Sequence, residues 1–457
     1  MTGVKGCARR ASRHGGQRAS GRGSALLPRA HVAATLGLVA ATGLGLAPRP
    51  AIGQDLHAFV GARVVPVAGP HIPDGVLLVR DGRIESVGPR GEVSLPPGAE
   101  VHDVTGLWLL PGLVDTHSHL GRGDGGDRSS ALHPDVRILD AVDARDPGLH
   151  RARAGGITTV NVMPGSGLLI SGQTAYLKLR LAGTVEELLF CDDPLTEVCG
   201  GLKMANGTNP IGTGPMPGTR ARSAALVRAE FLRAQEYGER RSSAEDDGGT
   251  PPSRDLRMEA LTEVLAGRRI VHNHTHRHDD ILTALRLQRE FGYRLVLHHV
   301  SDAHLVADEI AAAGILGASI LAPDSPGGKE EALRSGFTAG AALEAAGAGV
   351  AIHTDDGITD SRLFRRLAAM FVREGMSREG ALEALTLAGA RMLGLDDRVG
   401  SLEPGKDADF ILLDGDPLSV YTHVQETWVE GRRVFDRSDP RDREFAEGGP
   451  GIQGGLR

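Results

Sequence analysis

The sequence predicts an α/β protein in which a (β/α)8 barrel is joined to a small β domain built from both ends of the mature chain. Over residues 107–395, strand-like apolar runs alternate with helical runs, which is typical of a parallel sheet. Short alternating segments punctuated by Gly, Pro and Asp lie on both sides of this region, at residues 54–106 and 396–440. The length of 457 residues exceeds that of a usual single domain but suits a barrel with one accessory domain.

Residues 1–53 have a different composition from the rest of the chain. They carry eight Lys and Arg residues and no Asp or Glu, and an apolar run at 32–47 precedes the small-x-small sequence Ala51-Ile52-Gly53. This arrangement predicts a secretory signal peptide cleaved near Gly53, and therefore a periplasmic or secreted protein. The run is short for a membrane span, which argues against stable insertion after cleavage. A mitochondrial transit peptide is the competing interpretation, since such peptides are also Arg-rich and acid-poor.

The charge pattern does not point to a particular partner. The formal net charge is -7 and the body of the chain has no basic cluster, so nothing favours nucleic-acid binding. The sequence leaves the oligomeric state open, homo-oligomers included. Cys191 and Cys199 remain once the signal peptide with Cys7 is removed. They either pair across a short loop in an oxidising compartment or stay free thiols.

The barrel strands are predicted from their apolar runs. The first is LWLLPGLVDTHSHL at residues 107–120, which carries no charge before Asp115. Seven more strand-like runs follow, of which AYLKLR and GGLKMA are weak: GITTVNVM, AYLKLR, GGLKMA, RRIVHNH, YRLVLHH, ILGASILA and GVAIHTD. Helices are predicted at DILTALRLQREFG, HLVADEIAAAG, AGAALEAAG and SRLFRRLAAMFVREG. The charged, Pro/Gly-rich residues 239–254 predict a mobile loop, either over the barrel mouth or as a plain surface excursion.

Candidate metal ligands fall at the ends of these strands, where the active sites of such barrels lie. His117 and His119 point the same way at the end of the first strand, because side chains in a strand alternate with period two. Strand 8 ends with Asp355 in the sequence HTDD. The remaining candidates are Lys203 on strand 4, His272, His274 and His276 on one face of strand 5, and His298 and His299 on strand 6.

These residue types suit a divalent metal centre. Imidazole nitrogens and a carboxylate form a ligand set for zinc or a similar ion. A neutral lysine amine that captures carbon dioxide becomes a carbamate, whose two oxygens can bridge a metal pair. Other residues are candidates for substrate binding: Gln173 in a Gly-rich segment, His276, and the arginines Arg220 and Arg277, which could grip a carboxylate.

The motifs are similar to those of a known family. The chain contains LLPGLVDTHSHLG, GITTVNVMPGSG, GLKMANGTNP, HRHDDILTALRLQREFG, VAIHTDD and VGSLEPGKDADFILLDGDP. Together they resemble the amidohydrolase superfamily, and more narrowly the imidazolonepropionase-like and related metal-dependent amidohydrolases. The resemblance covers nearly all of the chain after the predicted signal peptide, and it implies a (β/α)8 barrel with a composite β-sandwich.

The resemblance also implies roles for individual residues. His117 and His119 would hold the buried metal with Asp355 beside them, and Lys203 matches a position that is often a carboxylated, bridging lysine. His274 and His299 would bind a second ion, so that two zinc ions per chain are favoured over one. The strand 5 register stays open among His272, His274 and His276, and His298 stands where relatives often have an acidic residue.

The implied activity is metal-assisted hydrolysis of a C–N bond in a small amide, cyclic amide or dipeptide, with Asp355 as general base and then general acid. A peptidase-like scavenger of dipeptides is favoured over an imidazolonepropionase proper, because that enzyme belongs to cytoplasmic histidine breakdown and this chain is predicted to be exported. The alternatives are an esterase or lactonase on the same metal centre, and a catalytically inactive binding protein on the same fold.

Overall fold

A computed structural model describes residues 55–123, 126–323 and 328–449 of the chain. The predicted signal peptide at residues 1–53 lies outside the described residues, so it stays a prediction. Within the described ranges, no helix combines the length and apolar character that crossing a membrane requires.

The described chain contains seventeen strands and ten α-helices. The strands are β1 (Leu56–Val64), β2 (Ile72–Arg80), β3 (Arg83–Pro89), β4 (Glu100–Asp103), β5 (Trp108–Pro111), β6 (Leu113–Ser118), β7 (Ile157–Val162), β8 (Ile170–Gln173), β9 (Ala175–Lys178), β10 (Leu202–Ala205), β11 (Val271–Thr275), β12 (Leu295–His299), β13 (Gly317–Ile320), β14 (Val350–Ile352), β15 (Phe410–Leu413), β16 (Val424–Val429) and β17 (Arg432–Asp436). The helices are α1 (Pro147–Ala154), α2 (Arg220–Asp247), α3 (Leu256–Leu265), α4 (His278–Phe291), α5 (Ala307–Ala312), α6 (Thr338–Ala345), α7 (Phe364–Arg373), α8 (Arg378–Ala384), α9 (Leu387–Leu393) and α10 (Pro440–Glu447).

Both ends of the described chain contribute to one eight-stranded sheet. Its order is β17-β16-β15-β5-β1-β2-β3, with β4 pairing to β1. Side chains alternate between the two faces of β1, so that Phe59 packs with Phe410 and Trp428 on one face while Ala58 and Val60 pack on the other. The N- and C-terminal segments thus complete one sheet, while the predicted domain boundaries themselves stay a prediction.

The run at residues 107–120 is two strands, which corrects the prediction of a single one. β5 belongs to the composite sheet, whereas β6 begins the second part of the fold. Gly112 separates them, and a Cβ atom there would lie 2.1 Å from the hydroxyl oxygen of Thr158. Its backbone N–H donates to the carbonyl of Asp409 (2.9 Å). The close approach of Thr158 therefore requires glycine at the point where the chain leaves one sheet for the other.

The central region is of the α/β class and contains two sheets, each with both parallel and antiparallel strand pairs. One sheet has the order β6-β7-β9 and the other the order β14-β13-β12-β11-β10-β8. The strands pair in parallel except β8 and β9, which run antiparallel to β10 and β7. The AYLKLR segment, predicted as a regular third barrel strand, therefore runs in the opposite direction. The backbone N–H of Asp355 donates to the carbonyl of His117 (3.0 Å), so the ends of β14 and β6 meet.

Residues 239–254 do not form the predicted loop along their whole length. α2 continues to Asp247, and Gly248 ends it in the left-handed conformation (φ 66°). Within this stretch Arg241 pairs with Glu245 one turn later (3.7 Å). Many of the charged residues that suggested a mobile loop therefore lie on the exposed face of a long helix. Only the stretch from Gly248 to Asp255 is non-helical.

Two further features tie the central region together. Cys191 and Cys199 form a disulfide with Cα atoms 5.2 Å apart, which decides between the two expectations for these cysteines. Lys178 on β9 is completely buried and lies beside three carboxylates from the C-terminal part of the chain. These are Asp407, in the shortest contact, and Asp409 and Glu430, each at 3.3 Å.

Candidate metal centre

The C-terminal ends of the parallel strands bring a group of histidines together. The register of the β10–β11–β12 ladder pairs Lys203 with His272, His274 with His298, and Thr275 with His299. Because neighbouring parallel strands stay in register, these side chains meet at the same edge of the sheet. His353 directly follows β14 and is also completely buried. The arrangement concentrates imidazoles where barrel enzymes place their active sites.

Three of the predicted ligands form a compact group around one carboxylate. Oδ1 of Asp355 lies 3.0 Å from Nε2 of His119 and 3.4 Å from Nε2 of His117. One ligand atom from each of the three residues lies within 4.8 Å of the others, a spacing that suits a shared ion. Nδ1 of His119 contacts the carbonyl oxygen of Met163 (2.8 Å), which leaves Nε2 free to face Asp355.

Lys203 joins this group from β10. Its side chain is completely buried, with Nζ 3.1 Å from Nε2 of His117 and 2.9 Å from the sulfur of Met163. Burial lowers the pKa of Lys203 to about 7, against a smaller opposing effect of Asp355. A substantial share of the amine is therefore neutral near pH 7, as capture of carbon dioxide would require.

A second group lies beside the first. His274, His276 and Glu331 each offer a ligand atom within 4.8 Å of the others. The ring of His299 lies 4.4 Å from that of His274 and 4.9 Å from that of His276, measured between centroids. Glu331 was absent from the sequence prediction. It lies outside the strands, and only its burial to 6% exposure and its position near the histidines mark it as a site residue.

The structure narrows the strand 5 alternatives. Both ring nitrogens of His272 are already engaged, Nε2 with the hydroxyl of Tyr176 (2.9 Å) and Nδ1 with Nε2 of His298 (3.0 Å). His274 instead contacts the side-chain nitrogen of Asn209 (3.1 Å), and His276 the hydroxyl of Ser301 (2.7 Å). His274 and His276 are thus the histidines of β11 and its following turn that face Glu331 and His299.

Burial keeps the imidazoles neutral, as metal ligation requires. It lowers the pKa of His276 and His353 to about 3, and it places the pKa values of His117, His274 and His299 well below their usual range. Several buried polar atoms of this group lack a hydrogen-bond partner: Nδ1 of His117, Nδ1 of His274, Nε2 of His276, Nδ1 of His298, Nε2 of His299 and Oε1 of Glu331. Such unpaired buried donors and acceptors are costly, and bound ions would satisfy part of this set. The residues therefore fit a divalent metal centre.

Asp355 is held as a carboxylate. Burial acts to raise its pKa, but the hydrogen bond and charge of His119, with smaller contributions from His353 and Lys203, leave the pKa below its usual value. The backbone of Asp355 has φ 50°, in the left-handed region that is uncommon for a non-glycine residue. His299 shares this feature, with φ 72°. Such conformations persist where the surrounding structure enforces them and are frequent at functional sites.

Asp115 organises the backbone beneath the site. It is completely buried and accepts hydrogen bonds from the amide (3.1 Å) and hydroxyl (2.5 Å) of Thr354 and from the amide of His117 (3.3 Å). Burial raises the pKa of Asp115 to about 7. Since these partners adjoin or belong to the ligand segments, Asp115 positions His117 and Asp355 relative to each other.

His353 was missed in the sequence and belongs to the cluster. Its ring stacks on that of His117 with centroids 4.9 Å apart, and Nε2 lies 3.2 Å from Nδ1 of His299. Nδ1 contacts the hydroxyl of Ser319 (2.9 Å). The available signal was its position two residues before Asp355, since residues two apart along a strand share a face.

The predicted substrate-binding residues are placed in different surroundings. Nε of Arg220 lies 2.9 and 3.0 Å from the two carboxylate oxygens of Asp280, and its Nη2 lies 3.4 Å from Glu331. Arg277 makes a bidentate pair with Asp279 at 2.5 and 2.6 Å. Both arginines thus hold carboxylates of the chain itself.

Gln173 lies farther from the strand ends. It pairs with Leu202, one residue before Lys203, and its amide donates to the carbonyl of Pro134 (3.1 Å). His276 is the predicted substrate-binding residue that lies within the histidine cluster. The substrate-binding roles of all four residues stay predictions.

Comparison with known proteins identifies the family. Over 415 residues the chain is 30% identical to the imidazolonepropionase of Deinococcus radiodurans, covering 79% of this chain and 93% of that protein. The chain belongs to the amidohydrolase superfamily. Residues 256–435 match the model of the Amidohydrolase family. The chain is also 27% identical over 395 residues to the amidohydrolase tasK of Hapsidospora irregularis, covering 79% of this chain but only 40% of that longer protein.

A solved amidohydrolase structure shows the same architecture. The amidohydrolase from Thermotoga maritima MSB8 superposes with a TM-score of 0.77 at 33% identity, covering 83% of this chain and 100% of that one. The resemblance inferred from the sequence motifs is therefore confirmed.

Proposed function

We propose that the protein is an exported, metal-dependent amidohydrolase that cleaves a C–N bond of a small amide, cyclic amide or dipeptide. One observation carries the proposal: the carboxylate of Asp355 lies within 3.0–3.4 Å of two imidazoles, one of which contacts the buried amine of Lys203. Hydrolytic relatives support the reaction class, since the amidohydrolase superfamily includes the imidazolonepropionase that matches this chain.

The proposed ligand set follows the two groups of the site. His117, His119 and Asp355 would hold one ion, and His274, His299 and Glu331, with His276 beside them, would hold a second. Carboxylated Lys203 would bridge the two ions, with zinc the favoured metal. When bound, a divalent ion lowers the pKa of water and polarises the carbonyl under attack. The fold proposed for this chemistry is a (β/α)8 barrel in which the segment containing β8 and β9 runs antiparallel.

The chain's own residues would move the proton. Asp355 is an ionised carboxylate whose Oδ1 faces the centre of the imidazole group, so it can accept a proton from the attacking water. The protonated Asp355 then donates to the departing nitrogen, which leaves as a neutral amine. The neutral imidazole of His353 contacts Ser319 through Nδ1 and His299 through Nε2, so it can orient His299 within the imidazole group.

Two observations support export. The Arg-rich, acid-free N-terminal segment ends in an apolar run with a small-x-small site. The bond between Cys191 and Cys199 is typical of an oxidising compartment. Expression of the full chain in a bacterial host, followed by mass measurement of the exported protein, tests this proposal. A mature N-terminus near Gln54 is expected, and an uncleaved cytoplasmic product would contradict it.

The first experiment on the site measures metal content together with hydrolysis. Purified mature protein is analysed for zinc per chain and screened against N-acyl amino acids, dipeptides, cyclic amides, esters and lactones. About two ions per chain and chelator-sensitive amide hydrolysis are expected. His117→Ala should lose metal and activity, whereas the matched control His304→Ala changes an exposed histidine outside the site. Metal-free protein without activity, or preference for esters over every amide, would overturn the proposal.

A further inference from the structure

A second histidine pair lies in the composite sheet, apart from the strand ends that carry the metal centre. β1 and β4 are parallel neighbours, with His57 opposite Glu100 and Phe59 opposite His102. Because residues two apart along a strand share a face, all four side chains project from the same side of the sheet. None of the sequence motifs that resemble the family contains these residues.

The donor atoms of this group are closely spaced. Nδ1 of His57 lies 3.0 Å from Nε2 of His102. Oε2 of Glu100 lies 3.5 Å from the same His57 nitrogen, and its Oε1 lies 3.7 Å from the same His102 nitrogen. One ligand atom from each of the three residues lies within 4.8 Å of the others. With metal–ligand bonds of about 2.0–2.2 Å, neighbouring ligands of a tetrahedral ion are roughly 3.3 Å apart. The two nitrogens therefore already have nearly the separation that one ion would impose, and the Glu100 carboxylate lies close enough to supply the third donor atom.

A further carboxylate orients the first histidine. Oδ1 of Asp55 lies 2.8 Å from Nε2 of His57, on the far side of the ring from His102. A carboxylate accepts hydrogen bonds, so it favours the tautomer with hydrogen on Nε2 and leaves the Nδ1 lone pair facing His102 and Glu100. This carboxylate–histidine arrangement is the one that commonly supports ligating histidines in metal sites.

Aromatic packing holds the second histidine. The ring of His102 stacks on Phe59 with centroids 4.5 Å apart, and Trp428 packs edge-on at 5.6 Å. Burial lowers the pKa of His102, against a smaller opposing effect of Glu100, which favours the neutral ring. The side chains stay reachable from solvent, with exposed fractions of 12% for His57, 24% for His102 and 67% for Glu100. An ion can therefore enter without rearrangement of the sheet.

We propose that His57, His102 and Glu100 bind a divalent transition-metal ion, with water as the remaining ligand. Zinc and copper readily bind two imidazole nitrogens and one carboxylate oxygen. Calcium and magnesium prefer oxygen ligands alone, so they would bind this site poorly. Before binding, Nε2–H of His102 donates to Nδ1 of His57. On binding, His102 changes tautomer: Nε2 gives up its hydrogen to solvent and Nδ1 takes one up, so the ring stays neutral and Nε2 is free to bind the ion. The ion would link β4 to the N-terminal end of β1. This role would be structural and separate from hydrolysis.

Trp428 provides a local reporter for the experiment. The chain has two tryptophans, so Trp108→Phe leaves Trp428 as the sole one. Full-length mature protein in this background, with its hydrolytic centre loaded with zinc, is titrated with Cu²⁺ while tryptophan fluorescence is followed. Saturable quenching with one Cu²⁺ per chain is expected. Quenching should need at least tenfold more Cu²⁺ in the His102→Gln variant. The same increase is expected in the Glu100→Gln variant, in which the altered side chain is exposed and the fold is not disturbed.

The orienting carboxylate and a remote histidine supply the controls. Asp55→Ala should weaken Cu²⁺ binding about 10-fold, in the range typical of such outer partners. His304→Gln changes an exposed histidine of the central region and should leave the titration unchanged. Hydrolytic activity should be the same in all of these variants. Identical quenching in the parent, His102→Gln and Glu100→Gln proteins, or no saturable quenching in the parent, would overturn the proposal and leave a hydrogen-bonded pair packed on aromatic rings. Because the readout is fluorescence, failure here does not bear on the hydrolytic centre.

Discussion

Lys178 and Lys203 are both completely buried on strands of the central region, yet their neighbours differ in kind. Lys178 lies among Asp407, Asp409 and Glu430, all within ion-pair distance. Lys203 contacts an imidazole nitrogen and a thioether sulfur. Within the described part of the chain, no carboxylate oxygen is found within 4.0 Å of Nζ of Lys203.

The difference shows how the surroundings decide what a buried lysine can do. A charged amine removed from water needs opposite charges beside it, and Lys178 has them. Lys203 lacks such partners, and burial brings its pKa to about 7, which makes a neutral amine accessible. We therefore expect one lysine to stabilise the fold by joining β9 to the C-terminal segments, and the other to take part in the proposed chemistry. The following experiments test this division.

The largest effect is expected beside Lys203, at Asp355. Asp355→Asn removes the proton acceptor but keeps the size and an oxygen donor, so hydrolysis should fall about 10²–10⁴-fold. Metal content and the denaturation midpoint should remain close to those of the parent. Steady-state kinetics with metal analysis of the same preparation checks both. Unchanged turnover would remove Asp355 from its role as base.

Lys178→Met should mainly affect stability. Asp407 keeps its pairs with Arg398 (2.9 Å) and Arg83 (3.2 Å), but the substitution removes the cation that lies 3.3 Å from the buried Asp409. Breaking a buried pair in this way costs about 3–5 kcal/mol. Urea unfolding monitored by circular dichroism measures the loss. Lys406→Met is the matched control, because Lys406 pairs with the half-exposed Glu403 (2.9 Å) and should change stability by about 0–1 kcal/mol. Equal effects at both positions would contradict the assigned role of Lys178.

Lys203→Met should show the opposite pattern. Methionine fills similar space without a charge to desolvate, so metal-free Lys203→Met should be at least as stable as the metal-free parent at pH 7. The same variant should lose metal from the centre and with it hydrolysis. Parallel unfolding and metal-content measurements test this. A loss of stability as large as that of Lys178→Met would show that Lys203 is a structural lysine too.

The pH dependence of the parent's stability gives the smallest and most specific test. The folded pKa of Lys203, about 7, lies below the value near 10.4 of an unfolded lysine, so between these values the unfolded chain binds the additional proton. Stability of the metal-free parent relative to Lys203→Met should therefore rise with pH above 7, by at most about 1.4 kcal/mol per unit. Unfolding curves at pH 7, 8 and 9 measure this difference. A flat or falling difference would contradict the lowered pKa.

Much of this protein was accessible from sequence alone. Period-two alternation and the strand-end rule placed His117, His119 and Asp355 at strand ends, and the resemblance to the family implied that they lie together at one metal. The structure places their ligand atoms within 4.8 Å of one another. The contribution of both chain ends to one sheet was likewise visible in their matching patterns.

Long-range packing lay beyond the sequence patterns. The break at Gly112 depends on the approach of Thr158, and the antiparallel direction of β9 depends on pairing with β7. The α2 helix was missed because charged residues that form exposed helix faces also occur in loops. Glu331 entered the site from a segment without strand periodicity, so no local pattern pointed to it.

The sequence by itself determined which residue types stand at the strand ends, since alternation and apolar runs are local properties of the chain. Only the tertiary structure decided which of them meet and in what protonation state. Lys178 and Lys203 both lie in short runs that look like buried strands, and sequence alone gives no reason to assign them different roles. Their difference arises from Asp407 and Asp409, more than two hundred residues away from Lys178 along the chain, because the charge of a buried group is set by what folding brings beside it.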